Sequence, residues 1–294
     1  MANISIQTKK KILMKKQLNN NFGTLYLVAT PIGNLNEVSN RTIETLTNAD
    51  LIACEDTRNT IKLLSHFDIH TKMVSYHNFN EKEASAKLIN ELKEGKNIAL
   101  VSDAGYPLIS DPGFELVNDV IDENINIVTV SGPNAAINAL VASGLETNHY
   151  MFYGFLNSKI SQAKKELEQL KEFPYTIIFY EAPHRINKTL NNIYEVFGNR
   201  KVCVARELTK IHEEYIRDDI KNLIDKEYKG EIVLLVEGYK QKQERIDEKT
   251  LLKEISKLIK EGLKTKEAVK QIANKYNVSK NDIYNNYIKN NRNY

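Results

Sequence analysis

The feature that most constrains this chain is a pattern occurring three times in its first half: an apolar run with strand character that breaks off in a turn rich in glycine and proline. The first run is Leu25-Tyr26-Leu27-Val28, followed by Pro31-Ile32-Gly33-Asn34. The second, residues 97–101, enters Ser102-Asp103-Ala104-Gly105-Tyr106-Pro107 and then Ser110-Asp111-Pro112-Gly113. The third, residues 125–130, ends in Ser131-Gly132-Pro133-Asn134-Ala135-Ala136. Aromatic and β-branched residues suit a pleated, half-buried strand, whereas Gly and Pro let the following backbone turn sharply and pass close to a ligand. A helix-compatible segment follows each strand, and an open α/β sheet gathers its ligand loops at the carboxyl ends of its strands in this way. The three turns together therefore predict one shared crevice, although each alone is equally an ordinary chain reversal. None matches G-x-G-x-x-G or G-x-x-x-x-G-K-[ST], so neither a dinucleotide fingerprint nor a Walker phosphate loop is present.

With 294 residues and 41% hydrophobic content, the chain is long enough for about two domains with cores of their own. It has no run of about 18 apolar residues, and the basic start MANISIQTKKKILMKK lacks the apolar stretch and cleavage site of a secretory signal. The expectation is a soluble cytoplasmic protein with no membrane partner. Cys54 and Cys203 stand far apart in apolar, strand-like surroundings without C-x-x-C spacing, which reads as two buried small hydrophobes rather than metal or redox ligands.

A net charge of +3 conceals an asymmetry. Residues 1–20 hold Lys9, Lys10, Lys11, Lys15 and Lys16 and no acid, giving +5, and residues 240–294 hold 14 Lys and Arg against 7 Asp and Glu, giving +7. By difference from the total, residues 21–239 carry −9. Basic ends on an acidic body suit appendages that grip a polyanion such as nucleic acid; a lysine-rich tail that merely solvates exposed helices is the plainer alternative.

These shifts divide the chain into a basic, mobile extension (1–20), a first α/β domain with the ligand loops (21–133), a second α/β domain (134–240) and a basic helical tail (241–294). In the first domain, helical spacing over 41–48, 58–67 and 81–94 alternates with strands, a βαβ pattern. The second opens near Tyr150 with MFYGFL and continues through helix 161–171, strand 176–180, helix 186–197 and strand 201–205, which repeats the theme, to a last strand at 231–236. In the tail, Leu251, Leu252, Ile255, Leu258 and Ile259 share one helical face, Ala268, Val269, Ile272 and Ala273 share another, and Ser279 with Asp282 caps a third helix. Three short helices separated by Gly262 and Asn277 are similar to a helix-turn-helix unit, with Lys264, Lys266, Lys270, Lys275 and Lys280 placed to meet phosphates. Such packing also serves protein contacts.

Eight strings now stand in order: LVATPIGNL, ACEDTR (53–58), YHNFNE (76–81), ALVSDAGYPLISDPG (99–113), SGPNAA, IFYEAPHR (178–185), ARELTK (205–210) and KGEIVLLVEG (229–238). In order and spacing they resemble the ribosomal RNA small subunit methyltransferase I family of the tetrapyrrole methylase superfamily, from about Gly23 to Gly238. The resemblance implies two α/β domains of the tetrapyrrole methylase type with S-adenosylmethionine in the cleft between them, a homodimer, and 2′-O-methylation of a cytidine in the decoding region of 16S rRNA on the small ribosomal subunit. It implies cofactor contacts at Pro31, Ile32, Gly33 and Asn34, at Ser102, Asp103 and Ala104, at Pro133, Asn134 and Ala135, and at Tyr180 and Glu181. A carboxylate such as Asp103 or Glu181 is then available to the cofactor's ammonium or sulfonium charge.

The chemistry asks for alignment of a 2′-oxygen with an already activated methyl group and for removal of a proton, without a metal. The matched motifs offer Glu55, Asp56 and Arg58, His77, and Lys210 for proton handling or ribose positioning, and Glu81, Arg185, Arg206 and Glu207 for the RNA. Each has a plainer reading: Asp56 and Arg58 as an ion pair, His77 as a loop histidine, Glu207 and Lys210 as a helix cap. Two departures from the family pattern stand out, Tyr106 in place of the usual threonine and Asp218-Asp219 in place of the usual Gly-Thr, where Asp218 is expected to crowd the cofactor. A superfamily methyltransferase acting on a small tetrapyrrole, or a non-catalytic RNA-binding assembly factor, are the competing classes.

Overall fold

The computed structural model describes residues 21–241, 247–276 and 278–291. The lysines of the N-terminal extension and Asn277 lie outside the described residues.

The first half is built on five parallel strands, β1 (Thr24–Val28), β2 (Leu51–Cys54), β3 (Met73–Ser75), β4 (Ile98–Val101) and β5 (Asn126–Val130), in the order β3-β2-β4-β1-β5. Between them run α1 (Asn40–Asn48), α2 (Thr57–His66), α3 (Glu81–Lys93) and α4 (Phe114–Asp122). A parallel sheet covered on both faces needs apolar residues on both, and the central strands supply them: Ala53, Ile98 and Leu100 enter one core cluster with Leu88, Leu92 and Leu116, while Ile52, Cys54, Ala99 and Val101 enter the other with Leu46, Leu63 and Leu64. Helix starts follow the sequence: Ser39 caps α1 by accepting the Thr42 N–H at 3.1 Å, and Asp56 caps α2 by accepting the Arg58 N–H at 2.8 Å. Because β1 lies between β4 and β5, the three glycine- and proline-rich turns emerge side by side.

α5 (Ala135–Ala142) leads into the second half, where β6 (Tyr150–Phe155), α6 (Ile160–Leu170), β7 (Thr176–Glu181), α7 (Ile186–Phe197), β8 (Lys201–Arg206), β9 (Glu214–Asp219) and β10 (Ile232–Val236) follow. Here the repeat of the βαβ theme stops. Only β6 and β7 are parallel; β10 inserts antiparallel between β7 and β8, and β9 pairs antiparallel with β8, in the order β6-β7-β10-β8-β9. The seven residues between β8 and β9 are too few for a parallel crossover. One face of this sheet, including Ile177, Phe179, Val204 and Leu234, packs on α6 and α7 through Leu167, Leu190 and Ile193. The other, including Ile178, Cys203, Ala205 and Leu235, packs on Ala136, Ala139 and Leu140 of α5 and on Ile32 from the first turn. Both cysteines are free and buried.

Residues 240–294 form a compact unit of their own. Its helices α8 (Glu248–Lys260), α9 (Thr265–Tyr276) and α10 (Lys280–Asn291) enclose a core of Leu251, Ile255, Val269, Ile272, Ala273 and Ile283. Lys264, Lys266, Lys270 and Lys280 are exposed, whereas Lys275 pairs with Glu254 at 2.8 Å and lies over the Tyr276 ring. Among the described residues no helix is long and apolar enough to cross a membrane.

Phe179 is fully buried and faces the Tyr153 ring at 5.4 Å between centroids. Phe179→Ala is expected to lower the unfolding free energy of the main unit by about 3–5 kcal/mol, read by urea denaturation; a loss below about 1 kcal/mol would contradict this packing.

Candidate active site

The three turns of the first sheet are locked to one another. Thr30 and Gly105 form an antiparallel bridge with N–H···O distances of 2.8 and 3.1 Å, and the Thr30 hydroxyl donates to the Ser102 carbonyl at 3.1 Å. The third turn is held by the Gly132 N–H, which donates to the Tyr106 hydroxyl at 3.2 Å. Tyr106 therefore makes a new contact with the third turn in place of whatever a threonine would reach. Glycine is required at 132, since a Cβ there would lie 2.8 Å from that of Ala29.

Two cavities flank this knot. The larger, about 440 Å³, lies between the two halves and is lined by Ile32, Asp103, Ala104, Tyr106, Asp111, Asn134 and Ala135 on one side and by Phe155, Tyr180, Glu181, Leu208 and residues 230–233 on the other. The smaller, about 210 Å³, lies against the first half alone, bounded by Thr30, Pro31, Gly33 and Leu35, by Asn59, Thr60, Lys62 and Leu63 of α2, and by Ser102 and Asp103. Asp103 is common to both. Its carboxylate accepts the Asp56 N–H at 3.3 Å and the Asn59 amide at 2.9 Å.

Of the residues assigned to the cofactor, Ile32, Asp103, Ala104, Asn134, Ala135, Tyr180 and Glu181 line the larger cavity. Pro31, Gly33 and Ser102 line the smaller one. Asn34 and Pro133 line neither: Asn34 turns its side chain to the Asn36 N–H at 3.0 Å, and Pro133 precedes Asn134, which caps α5 by accepting the Ile137 N–H at 2.9 Å. The Glu181 carboxylate is not free for a ligand. Its side chain is 1% exposed, pairs with Arg185 at 2.7 Å, accepts the Ala182 N–H at 2.8 Å and accepts the Thr189 hydroxyl. That arrangement consumes Arg185 as well, since a buried carboxylate needs a paired, hydrogen-bonded partner.

The charged candidates separate similarly. Asp56 and Arg58 form an exposed ion pair at 2.6 Å, and hydrogen bonds from Arg58 hold the Asp56 carboxyl down to about 2. Glu81 accepts the Tyr76 hydroxyl at 3.0 Å and the Gly113 N–H at 2.9 Å, which fixes the start of α3 to the start of α4. Lys210 lines neither cavity: it lies between Glu207 (2.9 Å) and Glu231 (3.0 Å), with its stem across Gly33. Glu207 also accepts the Glu231 N–H at 3.0 Å, and this bond, with Lys210, lowers its carboxyl. Arg206 pairs with Glu214 at 2.6 Å. His77 is held through its N–H to Asn80 at 2.8 Å, and its Nδ1 is buried without a hydrogen-bond partner.

Glu55, one residue past β2, differs from these. Among the described residues its carboxylate has neither a hydrogen bond nor an ion pair, and burial, then the neighbouring charges of Asp103 and Asp56, push its carboxyl up. Asp111, not singled out from the sequence, is pushed up to about 6 by burial and by Glu55. Its Ser-Asp-Pro-Gly context in the second turn was the available signal. Residues 230–233, inside the KGEIVLLVEG string, are not assigned to the site from the sequence because an apolar run does not reveal that β10 starts, rather than ends, at the cavity. Asp218 does not crowd this site: it pairs in register with Val202, four residues from the cleft end of β8, and bonds the Asn222 amide at 2.8 Å. Among the described residues no cluster of His, Cys, Asp or Glu fit to hold a metal is found.

The family described as Tetrapyrrole (Corrin/Porphyrin) Methylases matches residues 24–224. The ribosomal RNA small subunit methyltransferase I of Halalkalibacterium halodurans is 47% identical over 273 residues, 90% of this chain and 94% of that protein. The protein of the same name from Bacillus subtilis strain 168 is 45% identical over 290 residues, 94% and 99% of the two chains. In fold, the chain is similar to the crystal structure of uroporphyrin-III C-methyl transferase from Thermus thermophilus complexed with S-adenyl homocysteine, with TM-score 0.54 and 13% identity over 73% of this chain and 97% of that one. The interlocked turns, the cavity between two α/β halves and these likenesses lead to one conclusion: the chain belongs to the tetrapyrrole methylase family, within its ribosomal RNA small subunit methyltransferase I branch.

Proposed function

We propose that this protein transfers a methyl group from S-adenosylmethionine to ribosomal RNA of the small subunit, at the 2′-oxygen of a cytidine in the decoding region of 16S rRNA. The observation that carries the reading is the pair of cavities meeting at Asp103, on a chain closely similar in sequence to named small-subunit rRNA methyltransferases. The larger cavity fits the cofactor: its volume lies in the range of sites that enclose a ligand of that size, its walls are largely apolar, and Ala104 and the capped start of α5 bring backbone groups to its edge. When bound, S-adenosylmethionine supplies an activated sulfonium methyl group. Asp103 and Asp111 place carboxylates beside the cavity that receives this cation. Tyr180, packed against Phe152 and Phe155 at 4.9 and 5.6 Å, excludes water from the far wall.

Proton removal is assigned to Glu55, which lines neither cavity but lies close enough to Asp103 and Asp111 for their charges to act on one another. Asp56 is committed to Arg58 and the cap of α2, and Lys210 holds Glu207 and Glu231 together. An unpartnered carboxylate with a raised pKa is the stronger base, and Glu55 is that group in the matched EDTR motif. The basic three-helix unit grips rRNA through phosphates, which position without specifying sequence. The reading also carries the homodimer and cytoplasmic setting that the resemblance implies. A small-tetrapyrrole methyltransferase would share the larger cavity but has no use for that unit.

Labelled methyl groups are expected in a 2′-O-methylated cytidine after incubation with S-adenosylmethionine and small subunits lacking the modification, as read by nucleoside analysis. Label in another nucleoside, or none despite cofactor binding, would contradict the reading. Glu55→Gln is expected to slow transfer by about 100-fold or more with unchanged cofactor affinity; unaltered turnover would remove Glu55 as the base. Removal of residues 241–294 is expected to weaken binding to the subunit more than to the cofactor, and equal loss of both would make that unit part of the catalytic core.

Asp111 gives a pH prediction for the ligand-free protein. Its carboxyl ionises at about 6 in the fold against 3.8 ordinarily, so the folded state binds the proton more tightly. Its contribution is therefore neutral well below pH 4, turns destabilising between about 4 and 6, and is fully unfavourable above 6. Asp111→Asn should stabilise the protein by about 1–2 kcal/mol at pH 8 and lose that advantage near pH 3.5, as followed by thermal denaturation; an advantage independent of pH would contradict burial of the charge.

A further inference from the structure

We infer that the smaller cavity is the seat of the acceptor nucleotide, with Lys62 holding the phosphate beside it and Leu35 walling its base. The inference rests on the methyltransferase reading and gives its RNA a place. Pro31, Gly33 and Ser102, which the turns bring together as ligand-loop residues, line this cavity and not the larger one, so the turns serve two sites. Its volume, about 210 Å³, is below the roughly 300–1,000 Å³ that encloses a whole drug-sized ligand and suits one unit of a longer polymer.

The lining matches that unit. Leu35 and Leu63 present apolar surface to a base face, Thr60 adds a hydroxyl side chain, and the Asn59 amide, which donates to Asp103 at 2.9 Å and accepts from Lys62, ties Lys62 to the shared wall. Recognition of single-stranded RNA relies on such splayed bases packed on side chains and bonded at their edges. Lys62 is exposed on α2, and among the described residues its ammonium reaches the Asn59 oxygen at a long 3.5 Å and no carboxylate stands within ion-pair distance of it. The acidic body of residues 21–239 would otherwise repel a phosphate, so a cation at this mouth has a task. Asp103, which lines both cavities, marks where they adjoin, so an acceptor seated in the smaller one lies beside a donor in the larger.

The test uses the full chain and small subunits lacking the modification, with binding and transfer measured separately. Lys62→Ala should raise the apparent Kd and KM for the subunit by about 5- to 10-fold at low salt, lower the slope of log K against log salt by about 0.7–1, and leave kcat and S-adenosylmethionine affinity unchanged. Leu35→Trp, which fills the cavity, should abolish transfer while retaining cofactor binding, the latter also reporting that the variant is folded. Unchanged subunit affinity and salt slope for Lys62→Ala together with normal transfer by Leu35→Trp would overturn the assignment, as would a parallel loss of cofactor affinity in both. Failure of the unaltered protein to transfer any methyl group would instead overturn the reading on which the assignment rests.

Discussion

Two backbone hydrogen bonds between Thr30 and Gly105 hold the site together. They join the turns that leave β1 and β4, so neither can move without the other, and Tyr106 extends the tie to the turn after β5. A site made of loops is as exact as what fixes the loops, and these are fixed by main-chain pairing above a sheet whose central strands are packed on both faces. Ile32, carried on the first turn, reaches the core of the second half beside Ala136 and Leu208. The same residue stretch that shapes the cavity thus also fastens one half to the other.

The charges around this knot divide into those that build and those left over. Glu181 with Arg185 and Thr189, Glu207 with Lys210 and Glu231, Glu81 with Tyr76 and Gly113, and Asp56 with Arg58 are satisfied within the protein. Each removes a charge from the pool that could meet a substrate. What remains near the cavities is acidic: Glu55 and Asp111, both raised by burial, with Asp103 between the two cavities. Carboxylates crowded in this way resist ionising together, and a cationic ligand relieves that opposition. A sulfonium donor therefore suits the larger cavity electrostatically, and on the proposed reading the anionic acceptor is met by lysines on α2 and on the separate helical unit.

Much of this was legible in the sequence, for reasons that can be named. Gly33 and Gly132 mark turns because other residues approach the backbone there too closely for a side chain, and Gly105 because its φ of +78° suits glycine, and those needs are written in composition. The strands of the first sheet read as continuous apolar runs because both faces are buried. Three things were not legible. An apolar run such as Ile232–Val236 has no direction, so the antiparallel insertion of β10 was invisible. The edge strand Glu214–Asp219 is polar and half exposed, which hides its period. A charged residue in a matched motif does not announce whether a neighbour has already claimed it, and only the fold separates Glu181, paired, from Glu55, unpaired.

The central claim is that the knot of turns serves two adjoining sites that meet at Asp103, the donor in the larger cavity and the acceptor in the smaller. It is tested most directly by a crystal structure of the full chain with S-adenosylhomocysteine bound. The account predicts density for the ligand between the two halves, against Ala104, Ala135 and Tyr180, with the space bounded by Pro31, Asn59 and Lys62 left open. Density for the ligand in that second space, or extending through both, would contradict it.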